Sequence, residues 1–296
     1  MIYIQNYING EFVGTNETIE DINPANGEII AHIPKSSSKD IESAVESADL
    51  ARHSWSKLSL EDRADWLDKI ANALEAKADE IASLESLDTG KPISLAKAVD
   101  ASRSIANFRF FAQFSKDFSV ENFEMDDATN HVLLKPVGIA GLITPWNLPL
   151  YLLSWKIAPA IVMGNTVVAK PSELTPLTAN LLSETLHEIN FPAGVVNIVH
   201  GLGSEAGHAI VEHPKVNLIS FTGGTLTGKK VAETAAPMFK KLSLELGGKN
   251  ATIVLEDTNL VDSIPEIARS GFMNQGQVCL CGSRIFVSDK IWDEFL

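Results

Sequence analysis

The sequence contains very little cysteine. Only two of its 296 residues are cysteines, Cys279 and Cys281, and a single residue separates them. Such a pair is poorly placed for a structural disulfide and is too small to hold zinc on its own. We therefore expect a reducing, cytoplasmic location and no metal site.

The sequence also lacks an excess of basic residues and any long apolar run. Lysine and arginine number 24 against 38 acidic residues, and the net charge of −14 argues against a nucleic-acid or membrane partner. The longest apolar stretch, residues 157–169, is interrupted by proline, glycine and asparagine. No segment reaches the roughly 18 residues that a membrane span needs. Residues 1–10 show no secretion signal.

The composition is that of a globular protein, with 45% hydrophobic and 21% charged residues, and the length suits one large domain or two ordinary ones. Residues 3–13 alternate apolar and polar positions around Asn9-Gly10 and predict a hairpin. Helical patterns follow at residues 40–51, from 59 to about 87, and from about 96 to 114.

Short β-rich runs alternate with helical patterns through the middle of the chain. The runs cover residues 138–144, 166–170, 195–199, 217–221 and 242–246. This alternation indicates βαβ crossovers and an α/β fold, a Rossmann-like parallel sheet flanked by helices. A strand at 251–255, a helix at 262–272 and a strand at 284–287 then begin a second α/β unit.

Two glycine-rich segments carry a carboxylate and a thiol. Glu245 lies within residues 244–250 and Cys279 within residues 274–284. A cysteine nucleophile and a carboxylate base suffice for acyl-thioester chemistry on a carbonyl. Taken singly, a cysteine is more often a small buried hydrophobe, and a glutamate at a strand end is explained by an ion pair.

Two further segments directly follow strands, where parallel sheets bind ligands. Residues 144–149 contain Asn147, whose amide N–H could stabilise an oxyanion, although a rigid turn around a buried tryptophan explains the loop equally well. Residues 170–173 end in Glu173, which could accept from a ribose hydroxyl and repel a 2′-phosphate, so that NAD would be preferred over NADP. A capped helix start with an exposed charge pair is the alternative.

Residues 221–230 can be interpreted in two ways. The run follows a strand, opens a helix and contains Gly223 and Gly224, which would let a phosphate approach the helix N-terminus. The spacing from Gly223 to Lys229 nearly matches a P-loop, but Lys230 stands where that motif needs the Ser or Thr that ligates Mg²⁺. A P-loop-like nucleotide-binding protein is therefore an alternative.

Together these segments resemble the aldehyde dehydrogenase superfamily over the whole chain. The runs that match in order and spacing are 144–149, 170–173, 191–199, 221–228, 244–250 and 274–284. Residues 139–153 and the triplet 279–281 are most similar to the branch that acts on 2-aminomuconic and 2-hydroxymuconic semialdehydes.

The resemblance implies NAD-dependent oxidation of an aldehyde, such as a carboxylate-bearing semialdehyde, to a carboxylic acid. It makes Cys279 the nucleophile, and Asn147 with the Cys279 backbone N–H the oxyanion hole. Hydride passes to the nicotinamide and leaves a thioester, which water hydrolyses with Glu245 as the base.

The resemblance also implies binding roles. The residues expected to bind NAD are Thr144, Trp146, Lys170, Ser172, Glu173, Gly203, Gly207, Phe221, Gly223, Gly224, Thr227 and Leu246. Gly224 replaces the family's usual serine, so we expect one phosphate hydrogen bond to be missing. Arg103 and Trp155 are expected to contact the substrate, with Arg103 binding a carboxylate. A solvent-facing arginine is the alternative.

Members of this family are considerably longer. Their downstream Glu-x-Phe-Gly-Pro segment, whose glutamate binds the nicotinamide ribose, is absent from this sequence, so we expect a C-terminally truncated chain. Residues 1–247 would form the NAD-binding domain with the hairpin and part of the oligomerisation sheet, and 248–296 the beginning of the catalytic domain. We expect a homo-oligomer at full length. An inactive fragment that retains only cofactor binding is the alternative to an active enzyme.

Overall fold

The computed structural model describes residues 1–296 and is organised around a seven-stranded sheet. In chain order the strands are β1 (Ile2–Tyr3), β2 (Asn6–Ile8), β3 (Glu11–Val13), β4 (Thr18–Ile22), β5 (Ile29–Pro34), β6 (Asn122–Glu124), β7 (Thr129–His131), β8 (Ile139–Ile143), β9 (Thr166–Lys170), β10 (Val196–Ile198), β11 (Val216–Gly223), β12 (Lys241–Leu246), β13 (Ala251–Val254) and β14 (Arg284–Val287). The central order is β12-β11-β8-β9-β10-β2-β3, and its first five strands run parallel. The predicted α/β fold with a parallel sheet is therefore confirmed.

Helices cover both faces of this sheet. They are α1 (Ser38–Trp55), α2 (Leu60–Ala76), α3 (Ala78–Thr89), α4 (Ile93–Leu95), α5 (Ser102–Lys116), α6 (Pro149–Val162), α7 (Leu177–Glu188), α8 (His208–Glu212), α9 (Thr225–Ala235), α10 (Leu260–Phe272) and α11 (Trp292–Phe295). Helices α1, α8 and α9 pack on one face, and α6 and α7 pack on the other beneath α2 and α5. Every residue of β8 and β9 is buried, which explains why these strands are nearly continuous apolar runs.

The N-terminal hairpin is part of the central sheet. Asn9 and Gly10 adopt positive φ values of 56° and 81°, as a two-residue turn between β2 and β3 requires. Strand β2 pairs antiparallel with β10, with Tyr7 opposite Ile198. The backbone N–H of Asn9 donates to Asn197 Oδ1 over 3.0 Å. The predicted hairpin is confirmed, and it extends the parallel sheet by two strands.

Two of the predicted helices are interrupted. The helix expected from 59 to about 87 is two helices, because Lys77 leaves helical geometry and its N–H bonds to Leu74 O in a tighter turn. This break lets α3 turn and pack on α7. The helix expected from about 96 begins as a π-helical turn, Ala96–Ala101, that continues into α5.

Residues after β12 form a small separate unit. Strands β13 and β14 pair in parallel with each other only, and α10 connects them. The remaining strands form a three-stranded sheet, β1-β5-β4, and an exposed hairpin, β6-β7. None of the helices combines the length and the hydropathy required to cross a bilayer.

Candidate active site

Two cavities lie along the carboxyl edge of the parallel strands, one on each side of the start of α9. The first, of about 500 Å³, is lined by Cys279 and is called the cysteine cavity. The second, of about 520 Å³, is lined by Glu173 and is called the glutamate cavity. Ligands of open α/β sheets bind at this edge, beyond the ends of the strands.

The cysteine cavity brings together all three predicted catalytic residues. Cys279, Glu245 and Asn147 line it. The other predicted residues in its wall are Trp146, Trp155, Gly223, Gly224 and Leu246. The side chains of Cys279 and Glu245 are both exposed, and no hydrogen bond joins them. Each can therefore meet a substrate independently.

Asn147 is tied to the segment that carries the cysteine. Its Nδ2 donates to the Gln277 carbonyl over 2.6 Å, and its own carbonyl accepts from Asn274 Nδ2 at 2.9 Å. An amide nitrogen carries two hydrogens, so one N–H of Asn147 is left for another acceptor. Its Oδ1 is buried without a partner. The amide is thus held in one orientation with one donor still available.

The backbone before Cys279 is unusual in its conformation. Asn274, Gln275 and Gly276 have φ values of 52°, 56° and 72°, in the left-handed region that non-glycine residues rarely adopt. A Cβ atom on Gly248 would lie 3.0 Å from the Cys279 carbonyl oxygen, so a side chain there would push the two segments apart by a few tenths of an ångström. Cys281, by contrast, is buried. These contacts place the Cys279 thiol, and not that of Cys281, in the cavity wall.

A buried lysine that the sequence analysis did not identify lies beside this cavity. Lys156 comes from the middle of the apolar helix α6, and its Nζ donates to Ser220 Oγ over 2.7 Å. Burial lowers the pKa of Lys156, and the nearby negative charge of Glu245 acts in the opposite direction. The resulting pKa is about 8. A lysine within an otherwise apolar helix was the signal that could have revealed it.

The glutamate cavity is organised by an ion pair. Lys170 Nζ bonds to the Glu173 carboxylate, which also accepts from the Gly203 N–H at 3.4 Å. Burial lowers the pKa of Lys170. Burial alone would raise the pKa of Glu173, but the charge and hydrogen bond of Lys170 hold it below its ordinary value. The other predicted residues in this wall are Gly203, Gly207, Phe221 and Thr227.

The N-terminus of α9 separates the two cavities. Gly223 and Gly224 face the cysteine cavity, and Thr227 faces the glutamate cavity. Gly224 is the N-cap residue and provides no side-chain hydrogen bond, so the first backbone N–H groups of α9 remain available to an anion. Lys229, the lysine of the P-loop alternative, has 73% of its side chain exposed beside Glu233 and lines neither cavity.

Four predicted site residues lie outside the cavity walls. Thr144, Lys170 and Ser172 are buried behind them, and Lys170 reaches the glutamate cavity only through Glu173. Arg103 is exposed on α5 and forms neither a hydrogen bond nor an ion pair. Lys230, which had no predicted binding role, lines the glutamate cavity instead.

The chain matches known proteins along its whole length. The family model described as "Aldehyde dehydrogenase family" matches residues 12–296. The 2-aminomuconic semialdehyde dehydrogenase of Homo sapiens is 48% identical, with 100% of this chain and 61% of the relative covered. The 2-hydroxymuconic semialdehyde dehydrogenase of Pseudomonas sp. (strain CF600) is 46% identical, with 99% and 62% covered.

A solved structure with bound cofactor is also similar. The NAD⁺ complex of an aldehyde dehydrogenase from Bacillus cereus superposes with a TM-score of 0.96 at 38% identity. That match covers 99% of this chain and 61% of the other. The chain therefore spans about three fifths of the length of the relatives and structures named here.

Proposed function

The chain belongs to the aldehyde dehydrogenase family, and we propose that it provides the cofactor-binding and nucleophile-bearing part of an NAD-dependent aldehyde dehydrogenase. The observation that carries this proposal is the meeting of Cys279, Glu245 and Asn147 in one cavity at the carboxyl edge of a parallel sheet. Within this proposal, residues 1–247 are the NAD-binding domain and residues 248–296 begin the catalytic domain.

The residues present fit NAD. The two cavities flank the uncapped start of α9, so a pyrophosphate could accept from its N–H groups while the two nucleosides occupy either side. Glu173 lies where a ribose hydroxyl could donate to it, and Gly223 and Gly224 leave the phosphates room. NAD bound in this way would accept the hydride that the oxidation of the aldehyde releases.

The chain's own residues supply the covalent chemistry. The Cys279 thiolate attacks the aldehyde carbon and forms a carbon–sulfur bond, while the carbonyl oxygen becomes an oxyanion. The available N–H of Asn147 and the Cys279 backbone N–H stabilise that oxyanion. After oxidation to the thioester, Glu245 takes a proton from a water molecule that attacks the acyl carbon. The sulfur leaves and the carboxylic acid is released.

We further propose that the substrate carries a carboxylate, which Arg103 binds. Asn107, one helical turn from Arg103, donates to the Tyr151 carbonyl over 3.1 Å, and Tyr151 lines the cysteine cavity. Residues four apart lie near each other on a helix surface, so the contact of Asn107 supports the proposal that Arg103 reaches towards this cavity. Its guanidinium has no partner in the protein and is free to bind a carboxylate in bidentate fashion.

This substrate class is tested by comparing two arginines on one helix. Arg103→Ala should raise KM for an acidic semialdehyde by about tenfold, the effect of one charge-assisted contact, and leave KM for a neutral aldehyde unchanged. Arg109→Ala is the matched control, because Arg109 already pairs with Glu75 at 2.5 Å. Equal effects of Arg103→Ala on both aldehydes would exclude the proposed contact.

The cofactor proposal is tested by calorimetric titration of the 296-residue chain with NAD⁺, NADP⁺ and ATP-Mg²⁺. We expect NAD⁺ to saturate one site per chain and to bind more tightly than NADP⁺. Tight ATP-Mg²⁺ binding without NAD⁺ binding would refute the proposal.

The nucleophile is tested by mass spectrometry after iodoacetamide treatment. The treatment should label a cysteine, and Cys279→Ser should abolish this labelling while Cys281→Ser preserves it, because only Cys279 is exposed.

Two further parts of the proposal concern the surroundings of the protein. An exposed nucleophilic thiol must stay reduced to act, which favours a reducing, cytoplasmic compartment. The exposed β6-β7 hairpin offers unpaired strand edges, which favours assembly into a homo-oligomer. Size-exclusion chromatography with light scattering would test the second point, and a monomer at all concentrations would contradict it.

A further inference from the structure

A fully buried ion pair lies behind the cysteine cavity, in a part of the chain to which the proposed function gives no role. The side chains of Lys91 and Asp100 are 1% and 0% exposed, and Lys91 Nζ lies 2.9 Å from each carboxylate oxygen. Lys91 follows Gly90, which ends α3 with a φ of 72°. Asp100 sits in the π-helical turn Ala96–Ala101. Neither residue lines the cysteine cavity or the glutamate cavity.

The lysine makes one more hydrogen bond, and that bond reaches the active site. Its ammonium group has three hydrogens, and beyond the two Asp100 oxygens it donates to the backbone carbonyl of Asn147 over 3.2 Å. The same carbonyl accepts from Asn274 Nδ2 at 2.9 Å. Asn147 is thus anchored at its backbone by Lys91 and Asn274, and at its side chain by the Gln277 carbonyl.

We propose that Lys91, held in place by Asp100, is a positioning residue that aims the Asn147 amide at the developing oxyanion. This inference rests on the oxyanion role given to Asn147 in the proposed function. The amide has one N–H left for the substrate oxygen. The direction of that N–H is set by the contacts that hold the Asn147 backbone and by the hydrogen bond of the other side-chain N–H to the Gln277 carbonyl. Loss of the Lys91 contact would let the loop rotate about its remaining anchors.

Stability alone does not account for a charged pair at this position. Burying two charges removes them from water, and a pair of apolar side chains of similar volume often stabilises a fold as well or better. The start of α6 is already secured by Glu85, whose carboxyl oxygen Oε1 accepts from the Leu150 N–H at 3.0 Å. What an apolar pair could not supply is the hydrogen bond to the Asn147 carbonyl.

The test compares two reactions of Cys279, only one of which forms an oxyanion. With p-nitrophenyl acetate, the sulfur bonds to the acyl carbon, p-nitrophenolate leaves, and the thiol proton passes to solvent. With iodoacetamide, the sulfur bonds to a methylene carbon and iodide leaves, with no oxyanion. The ratio of the acylation rate to the alkylation rate isolates oxyanion stabilisation from thiol reactivity. Neither reaction requires NAD.

The central variant is the apolar pair Lys91→Met with Asp100→Leu. We expect it to unfold near the wild-type temperature while its ratio of acylation to alkylation falls about tenfold or more, towards that of Asn147→Ala. The matched control is Lys97→Met with Asp79→Leu, which removes an exposed pair of the same residue types at 2.5 Å. This control should leave the ratio unchanged.

The outcomes separate the inference from the proposed function. A ratio within twofold of wild type in a folded central variant would overturn the positioning role. A wild-type ratio equal to that of Asn147→Ala would instead show that Asn147 stabilises no oxyanion, and the proposed function would fail first. If the apolar pair does not fold, Lys91→Gln with Asp100→Asn replaces it. Glutamine is too short to reach the Asn147 carbonyl. A fall in its ratio of acylation to alkylation would support the positioning role, and a ratio within twofold of wild type would overturn it.

Discussion

Glu85 should make the protein less stable as the pH rises from acid to neutral. Its side chain is completely buried, and one oxygen accepts both from the Leu150 N–H and from the Thr178 hydroxyl. The other oxygen has no partner. Burial, reinforced by the charge of Asp100, raises the pKa of Glu85 from 4.5 to about 7. The folded state therefore favours the protonated carboxyl.

The direction and size of the effect follow from this pKa. Between pH 4.5 and about 7 the folded state holds a proton that the unfolded state has released, so stability falls as the pH rises through this range. The difference between the folded-state and unfolded-state pKa values lowers the free energy of unfolding by about 3 kcal/mol above pH 8, at about 1.4 kcal/mol per pKa unit. Below pH 4 the contribution of this group is fully retained.

Glu85→Gln isolates the effect. The glutamine oxygen can accept both hydrogen bonds, and its NH₂ group replaces the unpartnered protonated oxygen with a similar shape. In urea unfolding followed by tryptophan fluorescence, the variant should match wild type near pH 4 and exceed it by about 3 kcal/mol at pH 8. Glu80→Gln, an exposed change on the same helix, should follow wild type throughout. If the free energies of unfolding of wild type and Glu85→Gln run parallel between pH 4 and pH 8, the raised pKa of Glu85 is refuted.

Three other substitutions test the site. Gly224→Ser should raise Tm by about 1 °C, because it adds an N-cap hydroxyl where nothing lies within 4 Å of a new Cβ. Gly223→Ser should lower Tm, since its Cβ would lie 2.6 Å from the Phe221 ring. Lys156→Met should stabilise the fold by about 2 kcal/mol at pH 7, because the folded-state pKa of Lys156, about 8 against 10.5, disfavours its charge and outweighs the lost Ser220 bond. Urea unfolding should show this advantage disappearing as the pH rises from about 8 to 10.5.

The sequence was sufficient to predict the edge at which the site lies. The runs that end at residues 144, 170, 221 and 246 are close to the observed strands β8, β9, β11 and β12. Because parallel strands end on one side, the motifs that follow them had to meet there. The position of Glu245 near the end of β12 and the loop after β8 that holds Asn147 were therefore predictable from the alternation of strands and helices.

The supporting contacts could not be predicted in the same way. Asn147 meets Gln277 across 130 residues, and Lys91 meets Asn147 across 56. No local periodicity encodes contacts between residues so far apart in the sequence. A lysine near an aspartate normally indicates an exposed charge pair. The interruption at Lys77 was missed for a related reason, since the packing of α3 on α7 overrides a continuous helical pattern.

The pairing of β2 with β10 determines when this protein can finish folding. Asn6 Oδ1 accepts from the His200 N–H across 194 residues, so a strand made first must wait for a partner made much later. At about 5–20 residues per second, translation takes roughly 10–40 s to bridge that interval. Throughout it, the apolar side chains of Tyr7 and Ile8 have no sheet to enter. The central sheet of a nascent chain therefore closes late, whereas a chain diluted from denaturant has both strands available at once.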